Sequence, residues 1–297
     1  MSTSRHGREV LRGAIALAWL WLAACEPTVE ARDATSRDAT TQADAETTCV
    51  ASEVASVLGR VIDERGSPIA SARPQLCLRL AIDGRLVCLE PPFTDDVGRF
   101  VLEVPSELRC VDRGVMRVLV SGGPYATSYC PVDPTRAVDG TLGLESPIEL
   151  TAVARVPLPP RGDPAVSREV MLGDVLAVEV VPDRLGSESD YARLGAARVV
   201  PERSCVPEAR ALDGLIATTP EGRVDGAFRV LASGLAEGTR VELFVIGGLD
   251  TRLPDGSIVE EGSLARLGEG RVDVDGTITP EPTVLLPQLG WLGWSVR

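Results

Sequence analysis

Short apolar or alternating runs, separated by turn residues, dominate the chain from Val54 onward. No stretch keeps the i, i+3, i+4, i+7 spacing of an amphipathic helix for more than about two turns. The runs predict strands over 57–62, 76–82, 86–89, 100–104, 115–120, 127–130 and 148–154, and again over 174–181, 227–232, 240–246, 270–274, 277–279 and 289–296. The pattern therefore predicts an all-β fold.

Turn residues between these runs predict three hairpins. Asp83-Gly84 and Asp275-Gly276 are dipeptides that favour tight two-residue turns, and 234–238 would join the runs on either side of it. A stiff, proline-rich stretch over 156–162 separates two parts of the pattern. We therefore expect two β-sandwich domains, one over 50–155 and a second, of no recognised family, over 156–297.

The N-terminus is typical of an export signal. Three arginines in residues 1–12 precede an apolar run over 13–22, and Ala23-Ala24 provide a small-residue cleavage site before Cys25. The run is shorter than the ~20 apolar residues that span a bilayer. Residues 1–24 are thus expected to form a cleaved signal peptide.

Leu22-Ala23-Ala24-Cys25 also resembles the lipobox of bacterial lipoproteins. This resemblance implies that Cys25 becomes the lipidated first residue of a chain exported to the cell envelope, at the outer membrane if the host has two membranes. An ordinary cleaved signal, or an uncleaved one with a free Cys25, is the alternative. Residues 25–49 follow as an acidic Thr/Ala/Asp segment with too few apolar side chains to fold, which predicts a tether.

Three short segments carry a family resemblance. They are Gly59-Arg60-Val61-Ile62-Asp63, the stretch GSPIASA over 66–72, and TDDVGRF over 94–100. Together they resemble the carboxypeptidase regulatory-like domain, over roughly residues 54–155 with the specific part in 59–104. The resemblance implies a transthyretin-like (prealbumin-like) β-sandwich. The Asp83-Gly84 hairpin between the motifs departs from that pattern.

Composition narrows the candidate chemistry. The chain has no Lys, and its single His is His6, so a chain cleaved before Cys25 has no His either. It therefore lacks histidine general bases, His-ligated metals and lysine Schiff bases. The related transthyretin-like enzymes rely on His, so we expect no catalytic residues, no cofactor and no enzyme activity. A pair of carboxylates acting as a hydrolase is the one enzymatic alternative left.

The charge of the chain argues against nucleic-acid binding, and the form of its acidic turns argues against calcium binding. Removal of residues 1–24 takes away three arginines and one acid, leaving 27 arginines, 42 acidic residues and a net charge of −15. Such a chain repels nucleic acid, so we expect no nucleic-acid partner. Asp95-Asp96 and the stretch 273–276 lack the spacing of a calcium loop and are expected to form turns, with no metal bound. Trp291 and Trp294 lie on opposite faces of a strand, so one is expected in the core.

The cysteines predict covalent links. Six remain besides Cys25, and an even number in an exported chain predicts three disulfides, with fifteen possible connectivities; they are Cys49, Cys77, Cys88, Cys110, Cys130 and Cys205. Only Cys205 lies beyond residue 155, so it must bond across that boundary if every thiol pairs. We expect Cys49 as its partner, because the tether end can move. A two-residue turn at Asp83-Gly84 would place Cys77 and Cys88 diagonally, which leaves their pairing open.

These features predict a non-catalytic cell-envelope lipoprotein. Its β-sandwiches would serve structural or protein-interaction roles, with the membrane as one partner through the lipid and an envelope protein or glycan as another. An extracytoplasmic glycan- or peptide-binding module is the alternative.

Overall fold

Two sheet systems follow one another along the chain in the computed structural model, which describes residues 49, 52–185 and 187–297. The described residues belong to one compact unit. The predicted signal peptide, Cys25 and most of the tether lie outside them. Strands make up nearly all of the regular structure, which confirms the all-β prediction. Among the described residues, no helix is long and apolar enough to cross a bilayer.

The first system contains nine strands: β1 (Ser52–Glu53), β2 (Ser56–Asp63), β3 (Arg73–Leu80), β4 (Leu86–Cys88), β5 (Arg99–Glu103), β6 (Cys110–Leu119), β7 (Ser128–Val132), β8 (Thr141–Gly143) and β9 (Ile148–Leu150). One sheet has the order β1-β6-β3-β4, with β7 also paired to β6. The other has the order β5-β2-β8, with β9 also paired to β2. Strands β8 and β9 run parallel to β2, and the other pairs are antiparallel. The two sheets enclose a core that includes Val57, Leu76, Phe100, Met116 and Leu150.

The second system is one antiparallel sheet of nine strands: β10 (Arg168–Leu172), β11 (Leu176–Val180), β12 (Gly195–Val199), β13 (Gly214–Gly226), β14 (Phe228–Val230), β15 (Arg240–Ile246), β16 (Leu264–Val272), β17 (Ile278–Pro280) and β18 (Leu286–Val296). Its order is β10-β11-β14-β17-β16-β15-β18-β13-β12. The sheet curls round its own core until it is nearly closed. The expected second sandwich thus takes the form of a single curved sheet.

Short helices connect the strands. The described residues include one α-helix, α1 (Glu188–Tyr191), which the Ser187 hydroxyl caps by accepting from the Asp190 N–H. Turns of 3-10 helix lie at Ser106–Leu108, Pro134–Arg136, Pro182–Leu185, Pro201–Arg203 and Pro207–Ala211. The last two form one loop of the second system, and this loop lies against the first.

The predicted hairpins had different outcomes. Asp275-Gly276 does join β16 to β17, with Val272 opposite Ile278. The pairing expected across 234–238 is wrong, because β14 pairs with β11 and β17 while β15 pairs with β16 and β18. Asp83-Gly84 does not form a two-residue turn either. The Leu80 N–H donates to the Arg85 carbonyl at 3.0 Å, which closes a longer loop between β3 and β4.

Candidate functional site

Three disulfides are present, as the cysteine count predicts: Cys49–Cys110, Cys77–Cys88 and Cys130–Cys205. The longer β3–β4 loop places Cys77 directly opposite Cys88, so their pairing needs no bulge. Cys205 bonds back across the 155/156 boundary, as expected, but the expected partner is wrong. Cys130 lies on β7, the strand nearest to the loop that carries Cys205, whereas Cys49 is bonded to Cys110 at the start of β6.

An apolar joint connects the two sheet systems. Ala126 and Val153 of the first system pack against side chains of the second that include Val206, Leu215 and Ile246. Trp291 completes this cluster, and its indole N–H donates to the Thr127 carbonyl at 2.7 Å. Trp294 lies on the opposite face of β18, in the core of the curved sheet. Both indoles are buried, so each fills a different core.

A polar cluster, here called the joint triad, lies beside this apolar joint and consists of Arg117, Tyr129 and Glu221. The Tyr129 hydroxyl donates to the Glu221 carboxylate at 2.6 Å and accepts from Arg117 Nε at 3.1 Å. It also accepts from the Leu249 N–H at 3.2 Å. Arg117 Nη2 completes the ring with a salt bridge of 3.1 Å to Glu221. Two residues of the first system are thus bonded to one of the second.

Burial shapes the electrostatics of the joint triad. Burial and the Glu221 carboxylate raise the pKa of the Tyr129 hydroxyl far above its ordinary value of 10.0, so the group stays protonated as a donor. Burial opposes the charge of Arg117, but Tyr129 and Glu221 outweigh it and raise the pKa of the guanidinium. The cluster is therefore a hydrogen-bonded ion pair that holds the joint. A neutral donor phenol is not poised to act as a base.

A bulge in β13 delivers Glu221 to the joint. Ala217 is opposite Trp291 and Gly222 is opposite Leu289, so β13 carries three more residues than β18 over this stretch. The Thr218 hydroxyl and the Gly290 backbone exchange hydrogen bonds of 2.7 and 3.1 Å where the ladder is interrupted. Glu221 then lies against Gly248, where an added Cβ would be only 2.1 Å from the carboxylate. Sequence reasoning missed this residue, because no local pattern marks it.

An open groove lies where the sandwich of the first system is not closed. Its volume is about 550 Å³, within the range of small-ligand and peptide sites. Apolar side chains line it from β7, from the 142–148 stretch and from the loop over 201–210: Pro131, Val132, Leu142, Leu144, Ile148 and Pro207. The Cys130–Cys205 disulfide forms part of its wall. Four acids and three arginines also line it, so its charges nearly balance.

The loop over 201–210, here called the bridging loop, spans one end of this groove. Cys205 is bonded to β7, and Arg203 forms a salt bridge of 2.9 Å with Glu149 on β9. Ser204 shapes the loop, since its hydroxyl accepts from the Val206 N–H and its carbonyl accepts from Arg210 Nε. The bridging loop therefore touches both strands that border the opening.

The acidic turns bind their own backbone. One Asp95 oxygen accepts from the N–H groups of Val97 and Arg99, and Asp275 accepts from the Thr277 N–H. Within the described residues, no group of three or more His, Cys, Asp or Glu side chains could hold a metal ion. The geometry assigns these aspartates to turn formation.

No family model matches the chain, and no curated protein matches it. The carboxypeptidase regulatory-like resemblance stays a prediction from the three segments in residues 59–100.

Proposed function

We propose that this protein is a non-catalytic lipoprotein of the cell envelope, whose β-sheet body is a rigid platform for protein interaction. The observation that carries the proposal is that a covalent and a polar link both hold the two sheet systems together. A disulfide and the joint triad both cross the joint, beside the apolar cluster around Trp291. Surfaces on either side of such a joint keep a fixed relation to each other, which favours docking without ordering cost.

Export and anchoring are supported from two directions. Three disulfides indicate an oxidising, extracytoplasmic environment. The Leu22–Cys25 segment supports lipidation, because its small residues precede a cysteine at the end of an apolar run. Several acyl chains on one residue anchor stably, since each buried CH₂ contributes about 0.8 kcal/mol.

The proposal includes the absence of catalysis, on chemical grounds. The chain carries no His after residue 6 and no Lys at all, which leaves carboxylates as the only acid–base groups near neutral pH. The carboxylate of the joint triad, Glu221, is engaged by Arg117 and Tyr129. A glycan- or peptide-binding role is the second candidate, and the 550 Å³ groove is the observation that favours it.

The anchoring test compares the full chain with Cys25→Ser in a host that processes lipoproteins. We expect the membrane-extracted chain to begin at Cys25 and to carry a diacylglycerol, measured by intact mass. We expect Cys25→Ser to lose the acyl mass and to leave the membrane fraction. Cys205→Ser is the matched control, since it removes a cysteine that takes no part in anchoring. An unacylated chain beginning at another residue would contradict the proposal.

A further inference from the structure

The strands on the two sides of the groove, β7 on one side and β8 and β9 on the other, lie at the edges of their sheets. Among the described strands, β7 pairs only with β6, and β8 and β9 pair only with β2, while Thr141 of β8 also bridges to Val138 in the turn before it. At one end the two edges are joined, because the Ala126 N–H donates to the Thr151 carbonyl at 3.0 Å and Tyr125 bridges to Ala152. From there they diverge toward Val132 and Gly143. The opening is thus a wedge between two strand edges.

The backbone of β8 presents hydrogen-bonding groups to this wedge. The Leu144 N–H donates to the Leu58 carbonyl, and the Gly140 carbonyl accepts from the Ser56 N–H, so alternate residues face β2. Gly143, which lies between such positions, must direct its own N–H and carbonyl away from β2. Thr141 also faces away from β2 but exchanges two backbone hydrogen bonds with Val138, so Gly143 is the free position of this edge. An unpaired position of this kind is a template for an additional strand.

The bridging loop shows how a chain segment can occupy the wedge. It comes from the second sheet system and touches one edge through Cys205 and the other through Arg203. The groove continues from that loop along 142–148, with apolar side chains on its floor. Its uncovered part is therefore continuous with an interface that already exists within the molecule.

We propose that this groove binds an extended segment of a partner envelope protein, which adds as a strand to the free edge of β8. The proposal rests on the proposed function and names the class of partner for it. Alternating apolar side chains of the segment would lie on Leu142, Leu144 and Ile148, and its backbone would bond to Gly143. This is recognition by strand addition, in which the backbone gives affinity and the alternate side chains give specificity.

Charge indicates the polar side chains of that segment. Of the four acids in the lining, Glu145 and Glu149 are bonded to arginines, whereas Asp133 and Glu202 form no salt bridge within the described chain. The third lining arginine, Arg210, forms none either, so the unbridged charges leave one acid in excess. The whole protein carries a net charge of −13. A segment with Lys or Arg at its polar positions is therefore favoured over an acidic one. The protein's own residues 26–48 fit poorly, since they are acidic and contain only one apolar side chain larger than Ala.

The test uses a photo-crosslinking residue, p-benzoylphenylalanine, in the full chain in its native host. Amine-reactive reagents are unsuitable because the chain has no Lys. The probe replaces Ser146, which is exposed in the groove wall, and in a control strain it replaces Val274, which is 84% exposed on the β16–β17 hairpin. A second substitution, Gly143→Lys, places a positive charge at the edge, with Val274→Lys as its matched control, since it adds the same charge outside the groove. A side chain added at Gly143 meets no atom within 4 Å and Val274 is exposed, so both variants should fold.

We expect a Ser146 adduct that maps to one extended, basic segment of another protein. Gly143→Lys should lower its yield roughly tenfold, since like charges across an interface are costly, and Val274→Lys should leave it unchanged. Partner adducts at Val274 but not at Ser146 would overturn the groove and leave the proposed function intact. Partner adducts at neither site would overturn both. An adduct with a glycan, with residues 26–48 or with a second copy, or one indifferent to Gly143→Lys, would overturn strand addition by a partner.

Discussion

The Tyr129 hydroxyl is the smallest group whose removal tests the joint between the sheet systems. It donates to Glu221 and accepts from Arg117 and from the Leu249 N–H, so one oxygen joins β7, β6, the bulge of β13 and the segment after β15. Tyr129→Phe deletes that oxygen and keeps the ring in place. Tyr191→Phe is the matched control, because Tyr191 is also buried and its hydroxyl donates one hydrogen bond of 3.0 Å to the Pro159 carbonyl.

The expected cost follows from the partners. Two of the three bonds of Tyr129 are to charged groups, which contribute about 1.5–3 kcal/mol each, and the third is an ordinary bond of about 1 kcal/mol. Shared geometry makes the three less than additive, so we expect Tyr129→Phe to lower the free energy of unfolding by about 3 kcal/mol. Tyr191→Phe should lower it by about 1 kcal/mol.

Urea unfolding of the oxidised mature chain measures both variants. Trp291 at the joint and Trp294 in the core report by fluorescence, and circular dichroism reports the sheets. The midpoint should fall by about 1 M or more for Tyr129→Phe, and clearly less for Tyr191→Phe. Equal losses in the two variants would refute the reasoning, because the joint triad would then be worth no more than one peripheral hydrogen bond.

Three further outcomes are expected from the same structure. Burial and Glu221 raise the pKa of Tyr129, so folding stabilises its protonated form. The stability advantage of the wild type over Tyr129→Phe, measured by urea midpoints at successive pH values, should therefore be constant below about pH 10 and shrink above it. An advantage that grows with pH would contradict the assignment. The double variant Cys130→Ser/Cys205→Ser, which opens a loop of 75 residues, should lower the free energy of unfolding by about 4 kcal/mol. Cys77→Ser/Cys88→Ser, with a sequence separation of 11, should lower it by about 3 kcal/mol. The reverse order in chemical denaturation would count against the chain-entropy explanation. Gly226→Ala should lower the free energy of unfolding by about 2 kcal/mol or more, since its Cβ would lie 2.0 Å from the Glu179 carbonyl. Gly143→Ala, whose Cβ would meet no atom within 4 Å, should unfold at the wild-type midpoint. Similar midpoints for the two variants would show that β13 shifts freely at Gly226.

The fold class was predictable because its determinants are local. Alternating runs and turn residues marked most strands of both systems, and Asp275-Gly276 forms the turn that its sequence favours. The long strand β13 was missed, because Pro220 and a polar stretch interrupt its pattern. Those same residues form the bulge that carries Glu221. The residues that obscure β13 in the sequence are thus the ones that place Glu221 in the joint triad.

The covalent links were predictable in number but not in partner. Parity alone required Cys205 to reach the first system, since five of the six cysteines lie at or before residue 130. Its partner depends on where the bridging loop lies, and that is a tertiary fact. The groove was unpredictable for the same reason. It exists only because β7 and β8 diverge at the open side of the sandwich, and no sequence pattern marks an unpaired edge.

The Cys49–Cys110 disulfide sets the path of mechanical load through the molecule. Tension along the chain from the N-terminal side meets this bond before it reaches β1, whose two residues could be peeled from β6 easily. The load therefore passes directly into β6, a ten-residue strand held by β3 on one side and β7 on the other. From β7 it continues through Cys130–Cys205 into the curved sheet. A pull on the chain ahead of Cys49 would thus load covalent bonds and the longest strand of the first sheet system, and the short edge strand β1 would be spared.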